Sequence, residues 1–360
     1  MAAAVLAGGV LAACGGVETP VVDAPDGGAP DANALALGSD VRLVGAGASF
    51  PAPLYQRWFQ EFSRAQDQIQ VDYQSVGSGA GVEQFTKQTV DFGASDVAMK
   101  DEEIDAVDRG VLLLPMTAGS IVLAYNLDGV ENLNLTREAY LGILLGKVTQ
   151  WNDPVIADAN PGVELPDSAI AFVHRSDGSG TTGVFTKHLS AISPEWEEKV
   201  GAGKTVEWPT GTGAKGNEGV TAQIAQTPGS IGYIEYGYAK LNDIAFASLE
   251  NKAGKMITPS DEAASVALGA VELPENLRAF ISDPEGDDSY PIVTYTWMLA
   301  YQEYGDADKA KALEAAIEFG LNEGQDVAAE LGYVPLPQNV REKVAEAANG
   351  ISADYDIEVR

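Results

Sequence analysis

The chain has 360 residues, 45% of them apolar, with 13 Tyr, 10 Phe and 5 Trp; this is a globular composition, long enough for two or three domain-sized units around a sizeable core. Its 53 acidic residues outnumber 22 basic ones, and the resulting net charge of −31 argues against nucleic-acid binding and against docking on an anionic membrane. One Cys gives neither a disulfide framework nor a cysteine-built zinc site, and two His make no histidine-rich metal centre, so neither metal nor cofactor is expected.

Residues Ala2 to Ala13 are small and apolar and end in Leu11-Ala12-Ala13, directly before Cys14. Such a run before a small-residue site is the pattern of a secretory signal. With Cys14 at the junction it resembles a bacterial lipoprotein signal over 1–13, with Cys14 as the point of lipid attachment. The basic n-region of that pattern is missing, since the first basic residue is Arg42. The run is too short to span a bilayer. Residues 14–40 are rich in Gly, Pro, Asp and Ala, and predict a disordered, self-repelling acidic tether. An exported protein follows, periplasmic or at the cell surface, touching a membrane only through its lipid.

From Val41 the pattern alternates. Val41–Val44 predicts a strand, 45–49 a tight loop, and Pro51–Ala65 a helix with Pro at an early position where its missing N–H costs nothing. Ile69–Val76 predicts a strand that runs into Gly77-Ser78-Gly79-Ala80-Gly81 and a helix through Val82, Phe85 and Val90. Residues 91–96 predict a short strand ending on Asp96. Thr117–Tyr125 and Ala169–Val173 predict buried strands; the second leads through residues 175–181 into a helix carrying Val184, Phe185 and Leu189. Pro291–Tyr301 predicts a strand, and 307–322 and 338–348 predict helices. Strands alternating with helices define an α/β fold with largely parallel sheets.

Three loops share one design: a strand, a Gly-rich turn with a hydroxyl residue, then a helix. They centre on Ser49, Ser78 and Ser179-Gly180-Thr181. A helix N-terminus offers unpaired N–H donors and a partial positive charge, glycine allows close approach, and Ser or Thr adds a donor. One such loop is an ordinary helix cap. Three of them, one preceded by Arg175 with its planar fork, describe an oxyanion pocket. The chain offers no dinucleotide loop: residues 45–50 lack the third Gly. A Ser179 nucleophile served by His174 or His188 has no oriented triad in its spacing.

Several stretches together resemble the phosphate-specific substrate-binding proteins of ABC importers, the PstS type. They are Gly45-Ala46-Gly47-Ala48-Ser49-Phe50-Pro51-Ala52-Pro53, residues 73–81, 90–96, 140–151 and 175–181, Trp208-Pro209, 213–219 and 229–233. The resemblance implies a two-lobed α/β periplasmic-binding-protein fold, with mixed sheets flanked by helices and a hinge of crossing strands. Lobe I would be 41–125 plus 292–360, and lobe II 126–291. It implies that Ser49, Phe50, Ser78, Asp96, Arg175, Ser179, Gly180 and Thr181 bind inorganic phosphate, with Asp177 orienting Arg175. Asp96 would accept the proton of hydrogen phosphate. The implied partners are phosphate and the permease subunits of a phosphate ABC importer, and a monomer without enzymatic activity is expected. Two alternatives remain open at this point: an extracellular phosphomonoesterase, and a binder of another oxyanion such as arsenate or sulfate.

Overall fold

The computed structural model describes residues 35–360. The expected signal at 1–13, Cys14, and the tether as far as Ala34 lie outside the described residues. The last stretch of that expected tether, Leu35–Asp40, is held against the body. Leu35 N–H donates to Gln66 Oε1 (3.1 Å), Gly38 N–H to Asp308 Oδ2 (3.1 Å), and the Ala36 carbonyl accepts from Lys311 Nζ (3.0 Å). Leu35 and Leu37 are partly buried. These two leucines supply the apolar surface that the Gly/Pro-rich stretch before them lacks.

The strands are β1 (Val41–Gly47), β2 (Ile69–Ser75), β3 (Phe92–Ser95), β4 (Leu112–Asn126), β5 (Asn134–Leu135), β6 (Ala171–Arg175), β7 (Thr212–Ala214), β8 (Ser230–Glu235), β9 (Ala245–Phe246), β10 (Ser248–Glu250), β11 (Met256–Ile257) and β12 (Val293–Ala300). The main sheet runs β2-β1-β3-β12-β4-β8-β6-β7, with β9 also paired to β4; β11-β10-β5 form a small second sheet. β1 is parallel to β2 and β3, and β6 is parallel to β7 and β8. Between these two parallel groups lie the antiparallel strands β4 and β12.

β4 joins the two groups. Residues Leu112 to Ser120 pair with β12, and Ile121 to Asn126 pair with β8. Every β4 residue between its two ends is buried, so it reads as a continuous apolar run rather than an alternating one. It also starts five residues before the Thr117 that the sequence suggests. Pro115 lacks an N–H and argues against an interior strand. The register shifts between Thr296 and Trp297, opposite Pro115 and Thr117, and this bulge absorbs the proline.

Among the described residues no helix is long and apolar enough to cross a membrane. The helix Ala52–Ala65 buries Leu54, Tyr55, Trp58, Phe59 and Phe62, a one-sided stripe at helical spacing. The helix Ser78–Thr86 packs hard against the sheet. A β-carbon on Gly81 would overlap Gly47 Cα and come within 2.9 Å of the Ala46 carbonyl and 3.0 Å of the Ala94 carbonyl. All three neighbours are backbone, so nothing can swing aside. This contact sets how deeply Ser78, one turn earlier, sits over β1 and β3. Gly81→Ala should therefore force the helix outward and destabilise the protein by about 1–3 kcal/mol, the usual cost of overpacking. Urea unfolding checks this; an unchanged midpoint would mean that the helix has room to spare.

Candidate functional site

The site forms where three strands of the main sheet deliver their loops to one place. β1 ends at Gly47 and leads to Ser49 and Phe50; β2 leads to Ser78; β6 leads to Arg175 and the helix Gly180–Ile192. β3 ends beside them and presents Asp96. Ser49, Phe50, Ser78, Asp96, Arg175, Ser179 and Thr181 are all buried. Loops normally run over a surface; burying these together needs partners for every polar group.

Glycine makes the convergence possible. A β-carbon on Gly180 would overlap Ser78 Oγ and lie 2.6 Å from Asp96 Oδ2 and 2.8 Å from Asp96 Cβ. The backbone of the third loop thus rests directly on the second. Gly79 N–H donates to the Gly178 carbonyl at 2.7 Å, tying the same two loops together. That bond joins main chain to main chain, so no side-chain truncation removes it.

The hydroxyls of the cleft all accept hydrogen bonds from the protein. Ser49 Oγ accepts from Asn217 N–H (3.0 Å) and Asn217 Nδ2 (2.9 Å). Thr181 Oγ1 accepts from Arg175 Nη1 (3.3 Å) and Asn217 Nδ2 (3.2 Å). Ser78 Oγ accepts from Asp96 N–H (3.3 Å), and Ser179 Oγ caps its helix by accepting from Thr182 N–H (3.0 Å). A hydroxyl whose two lone pairs are occupied has its hydrogen left to give. Ser49 and Thr181 are of this kind and present donors; Ser179 accepts one bond and keeps its hydrogen, while the Ser78 hydrogen is directed at Asp96 Oδ2 at the long distance of 3.5 Å. The N–H groups of Ser49, Phe50, Gly180 and Thr181 add to them, carrying no hydrogen bond among the described residues.

Arg175 is held in position by other groups of the protein. Its Nε and Nη2 form a fork on Asp177, at 2.8 Å to Oδ1 and 2.6 Å to Oδ2. Asp177 Oδ1 is itself held by Gly216 N–H (3.0 Å). Burial alone would lower the Arg175 guanidinium, but the Asp177 carboxylate outweighs it and raises the group above its ordinary value. Burial would likewise raise Asp177, and pairing with Arg175 lowers it. Both groups stay charged, and the pair contributes little net charge to the cleft.

Asp96 is the acceptor among these donors. Its Oδ1 accepts from Thr296 Oγ1 at 2.9 Å, while Oδ2 lies 3.5 Å from Ser78 Oγ, at the long limit of a hydrogen bond, beside Gly180. Burial pushes its pKa up to about 7, against the opposing effects of Thr296, Arg175, Ser78 and Lys204. A group poised there can hold a proton or accept one from a ligand.

The structure brings together every site residue expected from the sequence except Cys14, which lies outside the described residues. It adds Asn217 and Thr296. Asn217 is buried and bridges Ser49 and Thr181; Thr296 comes from β12 to hold Asp96. Asn217 falls inside the stretch 213–219 that carries the family resemblance, which was the one available signal. Neither histidine serves Ser179. His188 Nε2 bonds Tyr140 OH (3.0 Å) and its Nδ1 bonds the Ser282 carbonyl (2.8 Å), while His174 Nδ1 meets the Arg175 carbonyl (2.9 Å). Among the described residues no cluster of His, Cys, Asp and Glu is set to hold a metal ion.

The fold and the cleft are those of a binding protein, with the polar groups of the cleft drawn from both parallel groups of the sheet. The family model of the PBP superfamily domain matches residues 24–319. The phosphate-binding protein PstS of Pasteurella multocida is 44% identical over 306 residues, covering 84% of this chain and 88% of that protein. Its namesake from Methanocaldococcus jannaschii is 38% identical over 339 residues, covering 87% of each. In fold, the chain is similar to the solved phosphate-binding protein of Stenotrophomonas maltophilia, with a TM-score of 0.68 at 19% identity, over 84% of this chain and 93% of that one. The chain belongs to the PstS family of phosphate-binding proteins, within the PBP superfamily.

The raised pKa of Asp96 has a consequence for stability. In the unfolded chain Asp96 titrates near 3.8, and in the folded protein at about 7. Between those values the folded state binds the extra proton, so stability is greatest on the acid side and is lost as pH rises through about 7. Asp96→Asn removes that loss. In anion-free buffer its unfolding free energy relative to wild type should rise from pH 5 to pH 8 by on the order of 1–3 kcal/mol. Other raised carboxyls, such as Glu314, are common to both proteins and cancel in the difference. A pH-independent difference would place the Asp96 carboxylate in a solvated site.

Proposed function

We infer that this protein binds one inorganic phosphate, as hydrogen phosphate, in the cleft and supplies it to an ABC importer. The observation that carries this is the donor set: the Ser49 and Thr181 hydroxyls with occupied lone pairs, free N–H groups and a paired guanidinium, all around one carboxylate. Such a set fits an oxyanion that bears a hydrogen. Hydrogen phosphate offers acceptors to the donors and an O–H to Asp96. Sulfate offers no proton at neutral pH and meets the carboxylate with lone pairs, a like-charge contact. Arsenate has the same protonation pattern and shares the fit.

The division into lobes supports a clamp. Lobe I is taken as 41–125 with 292–360, lobe II as 126–291, and the connections through β4 and toward β12 act as the hinge. The loops of Ser49, Ser78 and Asp96 belong to the first and those of Arg175–Thr181 to the second, so closure would bring donors onto the anion from two sides. Permease subunits of a phosphate ABC importer are the partners, and the protein acts as a monomer. Lipid attachment at Cys14 would keep it at the membrane surface after export; the Leu11-Ala12-Ala13-Cys14 sequence supports this. An enzymatic role has less support, because Ser179 Oγ is engaged in capping and the buried His188, pushed down to about 4 by desolvation, is tied to Tyr140 and Ser282.

Asp96→Asn tests the assignment. An amide can donate to an unprotonated oxygen, so the variant should lose its preference for phosphate over sulfate, by a factor corresponding to several kcal/mol of relieved like-charge contact. Competition binding reads this directly. Equal selectivity in wild type and variant would remove Asp96 from the anion.

A further inference from the structure

In a trans peptide the N–H and the carbonyl point opposite ways, so the Ser49 and Phe50 N–H groups are aimed by the carbonyls of Ala48 and Ser49. Tyrosines capture both: Tyr73 OH donates to the Ala48 carbonyl at 2.7 Å and Tyr238 OH to the Ser49 carbonyl at 2.6 Å. Tyr333 OH donates to the next carbonyl, that of Phe50, at 2.7 Å, where the loop runs into Pro51. Tyr238 and Tyr333 are distant in sequence from the loop and from each other, yet one buried side chain meets both. Glu235 is the last residue of β8 and is fully buried. Its Oε1 accepts from Gly237 N–H at 2.7 Å and its Oε2 from Tyr238 N–H at 3.3 Å, which caps the helix Tyr236–Leu241 carrying Tyr238. Its carboxyl also meets the Tyr333 hydroxyl. Its own N–H donates to Asn217 Oδ1 at 3.0 Å, and Asn217 in turn holds Ser49 Oγ and Thr181 Oγ1.

We propose that the Glu235 side chain is the positioning residue of the anion cleft: by capping the helix that carries Tyr238 and by meeting Tyr333 it keeps the Ser49–Phe50 loop turned donor-side inward, while its main-chain N–H holds Asn217 whatever the side chain. The role rests on the assignment of the cleft as the phosphate site. Burial raises the Glu235 carboxyl well above its ordinary value, as does the nearby Asp96 carboxylate, against the pull of the Gly237 and Tyr238 N–H groups and Tyr333. Glu235 pairs in register with Ile121, the first β4 residue to pair with β8. The residue that orients the loop therefore sits at the point where the two halves of the sheet exchange their shared strand.

The test is calorimetric titration of the full chain with inorganic phosphate. Gln keeps the volume of the side chain and an oxygen for the shorter bond of the cap, from Gly237 N–H, so Glu235→Gln should bind within about threefold of wild type. Glu235→Ala should bind at least about tenfold more weakly, with the Gln variant as its rescue. If Glu235→Ala does not fold, Tyr238→Phe and Tyr333→Phe replace it, and each should weaken binding at least about threefold. Wild-type affinity in Glu235→Ala, or in both tyrosine variants, overturns the role. So does a Gln variant as weak as the Ala variant. A wild-type protein that ignores phosphate overturns the functional assignment itself, and this role with it, which separates the two failures.

Discussion

The constraint on which the cleft depends is a carboxylate buried among hydrogen-bond donors with almost no room beside it. Asp96 sits under the backbone of Gly180, a fit that only glycine allows. Burying a carboxylate is costly unless it is bonded and paired. Here Thr296 takes one oxygen, Arg175 acts at a distance, and the rest of the cost remains as a raised pKa. That residual cost is useful. A carboxylate fully satisfied by the protein would have no use for a ligand's proton, and a solvated one would not discriminate. The Ser49 and Thr181 hydroxyls follow the same rule in reverse: the protein occupies their lone pairs and leaves their hydrogens.

The supporting structure keeps this arrangement in place by main-chain means. The close approach of Gly81 to β1 and β3 fixes the height of Ser78, and the Gly79–Gly178 bond fixes one loop against the other. β4 carries the two halves of the sheet on a single strand. The net charge of −31 works against an anion at long range, so the cleft must act at short range. It does so through N–H and O–H dipoles and one guanidinium already matched by Asp177, in a place where screening by water and salt is weak.

Much of this was legible in the sequence, because its signals are local. Gly-Ser-Gly turns between strands and helices sit within a few residues, and the two parallel groups follow from the alternation of strand and helix. The beginning of β4 was not legible, since Pro115 hides a bulge that only the partner β12 reveals. Asn217, Thr296, Tyr238 and Tyr333 were not singled out either. Each reaches its partner across a long stretch of chain, Thr296 to Asp96 over 200 residues and Tyr333 to Phe50 over 283. An Asn at a helix start or a Tyr after a strand is ordinary until the fold shows what it touches. Leu35 and Leu37 show the converse, because a stretch judged by its Gly and Pro content held two apolar side chains with a place to go.

The claim that short-range dipoles, and not the overall field, hold the anion is tested most directly by salt. Stopped-flow binding of phosphate to the full chain would be followed from about 10 mM to about 500 mM chloride, a range in which the Debye length falls from about 30 Å to below about 10 Å. The account predicts that the dissociation rate stays nearly constant while the association rate rises, as the repulsion of an acidic surface is screened. An association rate that falls steadily with salt, with affinity lost in proportion, would contradict it and show that phosphate is captured by a positive field.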